Sequence, residues 1–182
     1  MTQRPDSSRL GTVRELSDGY ELQFERHFRQ PVAKVWAALT TPAELAQWLA
    51  PGEIEMTLGG RVALAFTEGD TVIDGAITAF DPPRLLEFTW TDRGADLGFV
   101  RWELAHEDGG THLVLTHTIS EAARTFGLPA LAGWHTLLEK LEVLLDGHST
   151  SELPNRWQEF HDYYAVLGTM GAQPDPEGAT PK

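Results

Sequence analysis

The feature that most constrains this fold is a pair of alternating strands around the turn Glu107-Asp108-Gly109-Gly110. Glycine tolerates the positive φ that a tight reversal needs, so Asp-Gly between two alternating runs is a strong hairpin signal. With Asp108-Gly109 at the centre, counting outward pairs Leu104 with Leu113, Trp102 with Leu115 and Val100 with His117. All six then share one face. A sheet with one such apolar face must find something to cover it.

The rest of the chain supplies more strands and one cover. Tyr20, Leu22, Phe24 and Arg26 alternate against Glu21, Gln23, Glu25 and His27, which predicts a strand over Tyr20–Phe28. Pro31 suits the first turn of a helix carrying Val32, Val35, Trp36 and Leu39. Thr41-Pro42-Ala43-Glu44 has the capping-box form and opens a second short helix with Leu45, Trp48 and Leu49, which Pro51-Gly52 ends. Gly59-Gly60 and Glu68-Gly69-Asp70 bracket a strand with Val62, Leu64 and Phe66 on one face. Val72–Phe80 is the next strand, broken by Asp81-Pro82-Pro83. Leu86, Phe88 and Trp90 alternate in the one after, and Asp92 to Asp96 reads as a loop. After Pro129, Leu131, Trp134, Leu138, Leu141 and Leu145 recur at helical spacing until Asp146-Gly147. A last helix follows Pro154, with Trp157, Phe160, Tyr164 and Leu167 on one face.

This order predicts an α+β fold. About six to seven antiparallel strands curve around the long C-terminal helix, the only element large enough to cover them. Two short helices follow the first strand. A chain of 182 residues fits one domain. Residues 1–18 are polar and read as a flexible N-terminal tail, residues 19–170 as the domain with a helical extension over 149–170, and residues 171–182 as a disordered tail. The N-terminus has no apolar core of a signal peptide, and no run approaches the ~20 apolar residues of a membrane span. Without cysteine, disulfides, thiolate metal sites and a cysteine nucleophile are excluded, which suits a cytoplasmic location. The net charge of −13 repels phosphate backbones and anionic membranes, so neither nucleic acid nor membrane is an expected partner.

Several segments carry a family likeness. They are Arg29 to Thr40 running into Thr41-Pro42 and Trp48; Gly59-Gly60-Arg61; Asp81 to Trp90; Gly110 to Thr118; and Gly133-Trp134. In this order they resemble the START-like, or SRPBCC, superfamily of helix-grip proteins. Within it they are similar to bacterial proteins related to the C-terminal domain of the activator of the ninety-kilodalton heat-shock-protein ATPase. The Trp157-to-Leu167 extension also looks like a tail of many bacterial members. The resemblance covers roughly residues 19–168. It implies a cavity between sheet and helix, since members bind lipids, polyketides or plant hormones and some are cyclases or aromatases. It also implies a link to stress response through the chaperone namesake.

The candidate ligand-binding residues are Trp36, Trp48, Phe66, Phe88, Trp90, Trp102, Leu115, His117, Trp134, Leu138 and Leu141. Each aromatic either lines a cavity or simply fills the core. His117 is either a hydrogen-bond or proton-transfer partner for a ligand, or a buried histidine bonded to backbone or a neighbouring threonine. His106 and His112 flank one turn, but strand parity sends them to opposite faces and no carboxylate completes a set, so no metal and no cofactor are expected. Asp74 and Glu87 fall on the outward face, and Arg101 and Glu103 read as a solvated face. No phosphate loop and no Gly-x-Ser-x-Gly elbow occurs.

Three functions follow. One is binding of a small apolar or aromatic molecule in the internal cavity, which a bulky Leu138→Trp would block. A second is a cyclase- or aromatase-like enzyme in which His117 manages protons. A third is an interaction module working through an external surface, with a protein partner or as a homodimer.

Overall fold

Alternation of apolar and polar residues settles which side of each strand is buried. In a computed structural model, residues 7–67 and 70–168 are described. Glu68, Gly69 and the predicted 171–182 tail lie outside the described residues. Eight antiparallel strands form one sheet, in the order β1-β2-β8-β7-β6-β5-β4-β3. They are β1 (Thr12–Leu16), β2 (Gly19–Phe28), β3 (Gly52–Ile54), β4 (Arg61–Ala65), β5 (Val72–Asp81), β6 (Leu85–Asp92), β7 (Ala95–Glu107) and β8 (Gly110–Ser120). Two short helices, α1 (Val32–Thr40) and α2 (Pro42–Trp48), lie between β2 and β3. The long α3 (Gly127–Leu145) follows β8 through a 3-10 segment, Glu121–Phe126, and α4 (Trp157–Leu167) follows α3. This is the helix-grip arrangement.

The central hairpin has the register counted from its turn: Leu104 opposes Leu113, Trp102 opposes Leu115 and Val100 opposes His117. All six side chains are buried, and Gly109 takes φ +85° at the reversal. On β2, Tyr20, Leu22, Phe24 and Arg26 all point inward, as the alternation requires. The α3 stripe of Leu131, Trp134, Leu138, Leu141 and Leu145 is wholly buried against the sheet. The helix stops at Asp146-Gly147. There the amides of Asp146, Gly147 and His148 bond back to Glu142, Leu144 and Val143, with Gly147 at φ +82°.

Four local readings differ from the fold. Thr12–Leu16, assigned to the N-terminal tail, is the edge strand β1 paired with β2 from Thr12↔Gln23 to Leu16↔Gly19. Its sequence carries little strand signal, because only Val13 and Leu16 are apolar in it and an edge strand packs one side weakly. Asp92 to Asp96 is not a loop. β6 and β7 pair as far as Asp92↔Ala95, and Arg93 (φ +49°) and Gly94 (φ +85°) alone make the turn. Thr41 precedes α2, but its hydroxyl makes no cap; the Thr41 carbonyl instead accepts the amides of Glu44 and Leu45. On α4, Phe160 and Tyr164 are buried and Trp157 is half-buried, but Leu167 at the end of the stripe is exposed.

The outward carboxylates are ion-paired at the surface. Asp74 meets Arg61 at 2.9 Å, and Glu87 meets Arg101 at 2.8 Å. Inside, Arg26 is the exception to an apolar face. Only 4% of its side chain is exposed, and its Nε lies 3.0 Å from Glu142 of α3. The guanidinium also lies over the Phe24 ring and donates to the Glu25 carbonyl.

Candidate functional site

Six aromatic residues between the sheet and the helices form one connected set. Trp48 meets Trp102 edge-on at 5.9 Å, Trp102 meets Trp134 at 5.5 Å, and Trp134 meets Trp90 at 5.1 Å. Trp90 in turn contacts Phe88 at 6.1 Å and Phe66 at 6.0 Å. The path runs from the centre of the core to the molecule's edge. The Trp48–Trp102, Trp102–Trp134 and Phe66–Trp90 contacts are edge-to-face, which suits the ring quadrupoles.

At the outer end of the path lies a groove with two overlapping lobes of about 220 and 440 Å³. Its inner wall is Trp90 and Trp134, with Phe66 and Thr71 on the sheet side. Phe126, Pro129, Ala130 and Leu137 flank it, and Trp157 closes the side towards α4. Thr136, Lys140 and Asn155 bring polar groups to the larger lobe. Trp157 is fixed by its indole N–H, which donates to the Pro129 carbonyl at 3.2 Å. Gly133 sits on α3 in both lobes, and a Cβ added there would meet no atom within 4 Å.

Three of the eleven sequence candidates line this groove: Phe66, Trp90 and Trp134. Trp48, Phe88, Trp102, Leu115, Leu138 and Leu141 are buried core residues and line neither lobe. Trp36 is half-buried on α1 and packs against Phe80 at 6.3 Å, away from the groove. The sequence reading missed the α3 flank of Ala130, Gly133, Leu137 and Lys140. These positions lie beside the apolar stripe, and a helical wheel alone does not say that a neighbouring element leaves that side open. Trp157 was visible in sequence as part of the α4 stripe, but its place at the groove depends on how α4 docks.

His117 does not reach the groove. It is fully buried, its Nε2 donates to the Leu97 carbonyl at 2.9 Å, and its Nδ1 accepts the Trp134 indole N–H at 3.0 Å. Both nitrogens are committed, and the two bonds fix the neutral tautomer. Desolvation pushes its pKa down from 6.5 to about 4, against the opposing pull of the Leu97 carbonyl. His117 therefore joins α3 to the hairpin and orients Trp134; it is a buried, satisfied histidine rather than a proton-transfer group.

A second buried histidine has the same character. His135 stacks on Phe160 at 3.8 Å, and its Nδ1 shares a hydrogen bond with the Tyr164 hydroxyl, 2.9 Å away. Tyr164 Oη also accepts the Gly11 amide at 2.7 Å, which joins the N-terminal segment to α3 and α4. Desolvation, and then the charges of Arg26 and Arg156, push the His135 pKa to about 3. Burial pushes Tyr164 up to about 12.

The profile of the family described as Activator of Hsp90 ATPase homolog 1-like protein matches residues 29–146, more than half of the chain. The chain belongs to this family. Among solved structures, this family member is similar to CalU16 from Micromonospora echinospora, with 25% identity, 90% of this chain and 98% of that chain covered, and a TM-score of 0.71. It is also similar to the protein encoded by BPP1335 from Bordetella parapertussis, with 27% identity, 91% and 94% coverage and a TM-score of 0.66. A third, DynU16, a protein in the dynemicin biosynthetic locus, is 24% identical over 71% of this chain and 49% of that chain, with a TM-score of 0.61; this likeness carries the fold alone. No curated protein matches. The shared START-like fold is a ligand-binding fold. No helix among the described residues is long and apolar enough to cross a membrane.

Proposed function

We propose that this protein binds a small aromatic or otherwise apolar molecule in the groove beside α3. The observation that carries this reading is the groove itself: an indole-walled lobe of about 220 Å³ that opens into a more polar one of about 440 Å³, with unfilled space over Gly133 in both. Small-molecule sites are apolar recesses of a few hundred cubic ångströms with few polar groups, and this one matches in size and lining. Trp90, Trp134 and Trp157 offer ring faces and edges to a flat guest. Burying one ring system of ~200 Å² contributes several kcal/mol at ~25 cal/mol per Å², before the cost of association. Lys140 brings a positive charge to the larger lobe of a chain whose net charge is −13, which favours a guest with an oxygen-rich or acidic edge. Lipids and polyketide-like compounds both belong to this class.

The test is a titration with fatty acids, flavonoids and aromatic polyketides, followed by tryptophan fluorescence, in the natural protein and in Gly133→Phe. The expected result is saturable quenching in the natural protein that Gly133→Phe abolishes while its thermal unfolding stays cooperative. Equal affinity in Gly133→Phe, or no response to any compound, would refute the groove as the site. Leu138→Trp is not the blocking variant it looked from sequence, because Leu138 has no exposed surface and faces the core.

A further inference from the structure

Far from the groove, on the outer face of the sheet, two histidines meet across neighbouring strands. His27 of β2 directly opposes His112 of β8, and their rings stack at 4.6 Å with 11° between planes. Glu25 lies two residues before His27 on the same face, and its carboxylate is 3.3 Å from His112 Nε2. Glu107, at the end of β7, places a carboxylate oxygen 2.5 Å from His27 Nδ1. Glu25, His27 and His112 each offer a ligand atom within 4.8 Å of the others.

From this geometry we infer a binding site for a divalent transition-metal ion, Zn²⁺ or one of similar ligand preference, held by Glu25, His27 and His112. Two imidazoles and one carboxylate are the donor types that such ions select, whereas Mg²⁺ and Ca²⁺ prefer oxygen ligands throughout. Tetrahedral coordination with metal–ligand bonds near 2.0 Å puts ligand atoms about 3.3 Å apart. The 3.3 Å between Glu25 and His112 already has that spacing. His27 must turn from its stacked position to aim a nitrogen at the same point. Its side chain is 63% exposed, so that rotation displaces little. With Glu107 2.5 Å from Nδ1, the ligand is Nε2, and the carboxylate backs the turned ring as carboxylates behind metal-bound histidines do.

The backbone supplies the preorganisation. The β2–β8 ladder fixes the two histidine Cα positions, and parity places Glu25 and Glu107 on the same face. Glu25 and Glu107 set two carboxylates beside the rings, which attracts a cation. The chain's net charge of −13 adds to the attraction.

The experiment is calorimetric titration of the metal-free full chain with ZnCl₂ at neutral pH. The natural protein is expected to take up one equivalent. His27→Gln and His112→Gln should each weaken uptake by roughly tenfold or more, since losing a direct ligand costs at least what losing a second-sphere partner does. His106→Gln, on the same hairpin but facing the other way, should bind as the natural protein does. Circular dichroism checks that each variant is folded. Absence of saturable uptake, or an equivalent bound with unchanged affinity in a folded His27→Gln/His112→Gln double variant, would overturn the inference.

Discussion

Acidification offers a direct test of how His117 and His135 are held. Both are buried and neutral, with pKa values pushed down from 6.5 to about 4 and about 3. The unfolded chain binds a proton at each of them near pH 6.5, whereas the folded chain resists until lower pH. The stability that depends on their neutrality is thus complete above about pH 6.5 and is lost as pH falls from there towards the folded values. Each unit of pH within that window removes about 1.4 kcal/mol per histidine. Between about pH 6.5 and pH 5 the loss for His117 alone is roughly 2 kcal/mol. Glu139 and Glu142, whose pKa values burial raises, act in the opposite sense at the acidic end, so the comparison belongs above the carboxylate range. The informative perturbation is His117→Gln. Its amide keeps a donor for the Leu97 carbonyl and an acceptor for the Trp134 indole, but it does not titrate. Urea unfolding of both proteins at several pH values should show a shallower loss of stability in His117→Gln, by about one proton's worth of slope. Identical slopes in the two proteins would refute the buried, neutral assignment of His117.

Other outcomes follow from the same contacts. Gly133→Ala should stabilise the protein by about 1 kcal/mol, because alanine is the better helix former and its methyl meets no neighbour; a lower thermal midpoint would contradict the open floor. Leu138→Trp should cost about 1–3 kcal/mol in urea unfolding by overpacking the core, where an indole facing a cavity would cost little. Tyr164→Phe strands the buried Gly11 amide and removes the bond to His135, and should cost about 1–3 kcal/mol in the same assay.

Short-range periodicity encodes the parts of this fold that depend only on near neighbours in the chain. The Asp108-Gly109 turn sets the β7–β8 register because a tight turn leaves no freedom in the count, and once the register is set every side chain's face follows. The α3 stripe and its Gly147 stop are likewise local, since a helix repeats its environment every few residues. Arg26 alternated with apolar residues and so had to face inward, although only the fold brings Glu142 to it. The tertiary structure decided how those faces meet. In sequence, His112 is nearest to His106 across the turn. Its real companion, His27, lies on a strand reached only by closing the sheet from β2 to β8. The strand position of His117 left open a ligand partner or a buried structural histidine, and α3, by placing Trp134 against it, makes it a structural link. Trp48, Trp102, Leu138 and Leu141 share the pattern of Trp90 and Trp134 in sequence, yet the first four fill the core and the last two wall a groove. Hydrophobic pattern reports that a side chain leaves water. Whether it then meets another side chain or an empty space depends on the docking of segments far apart in the chain, which no local spacing specifies.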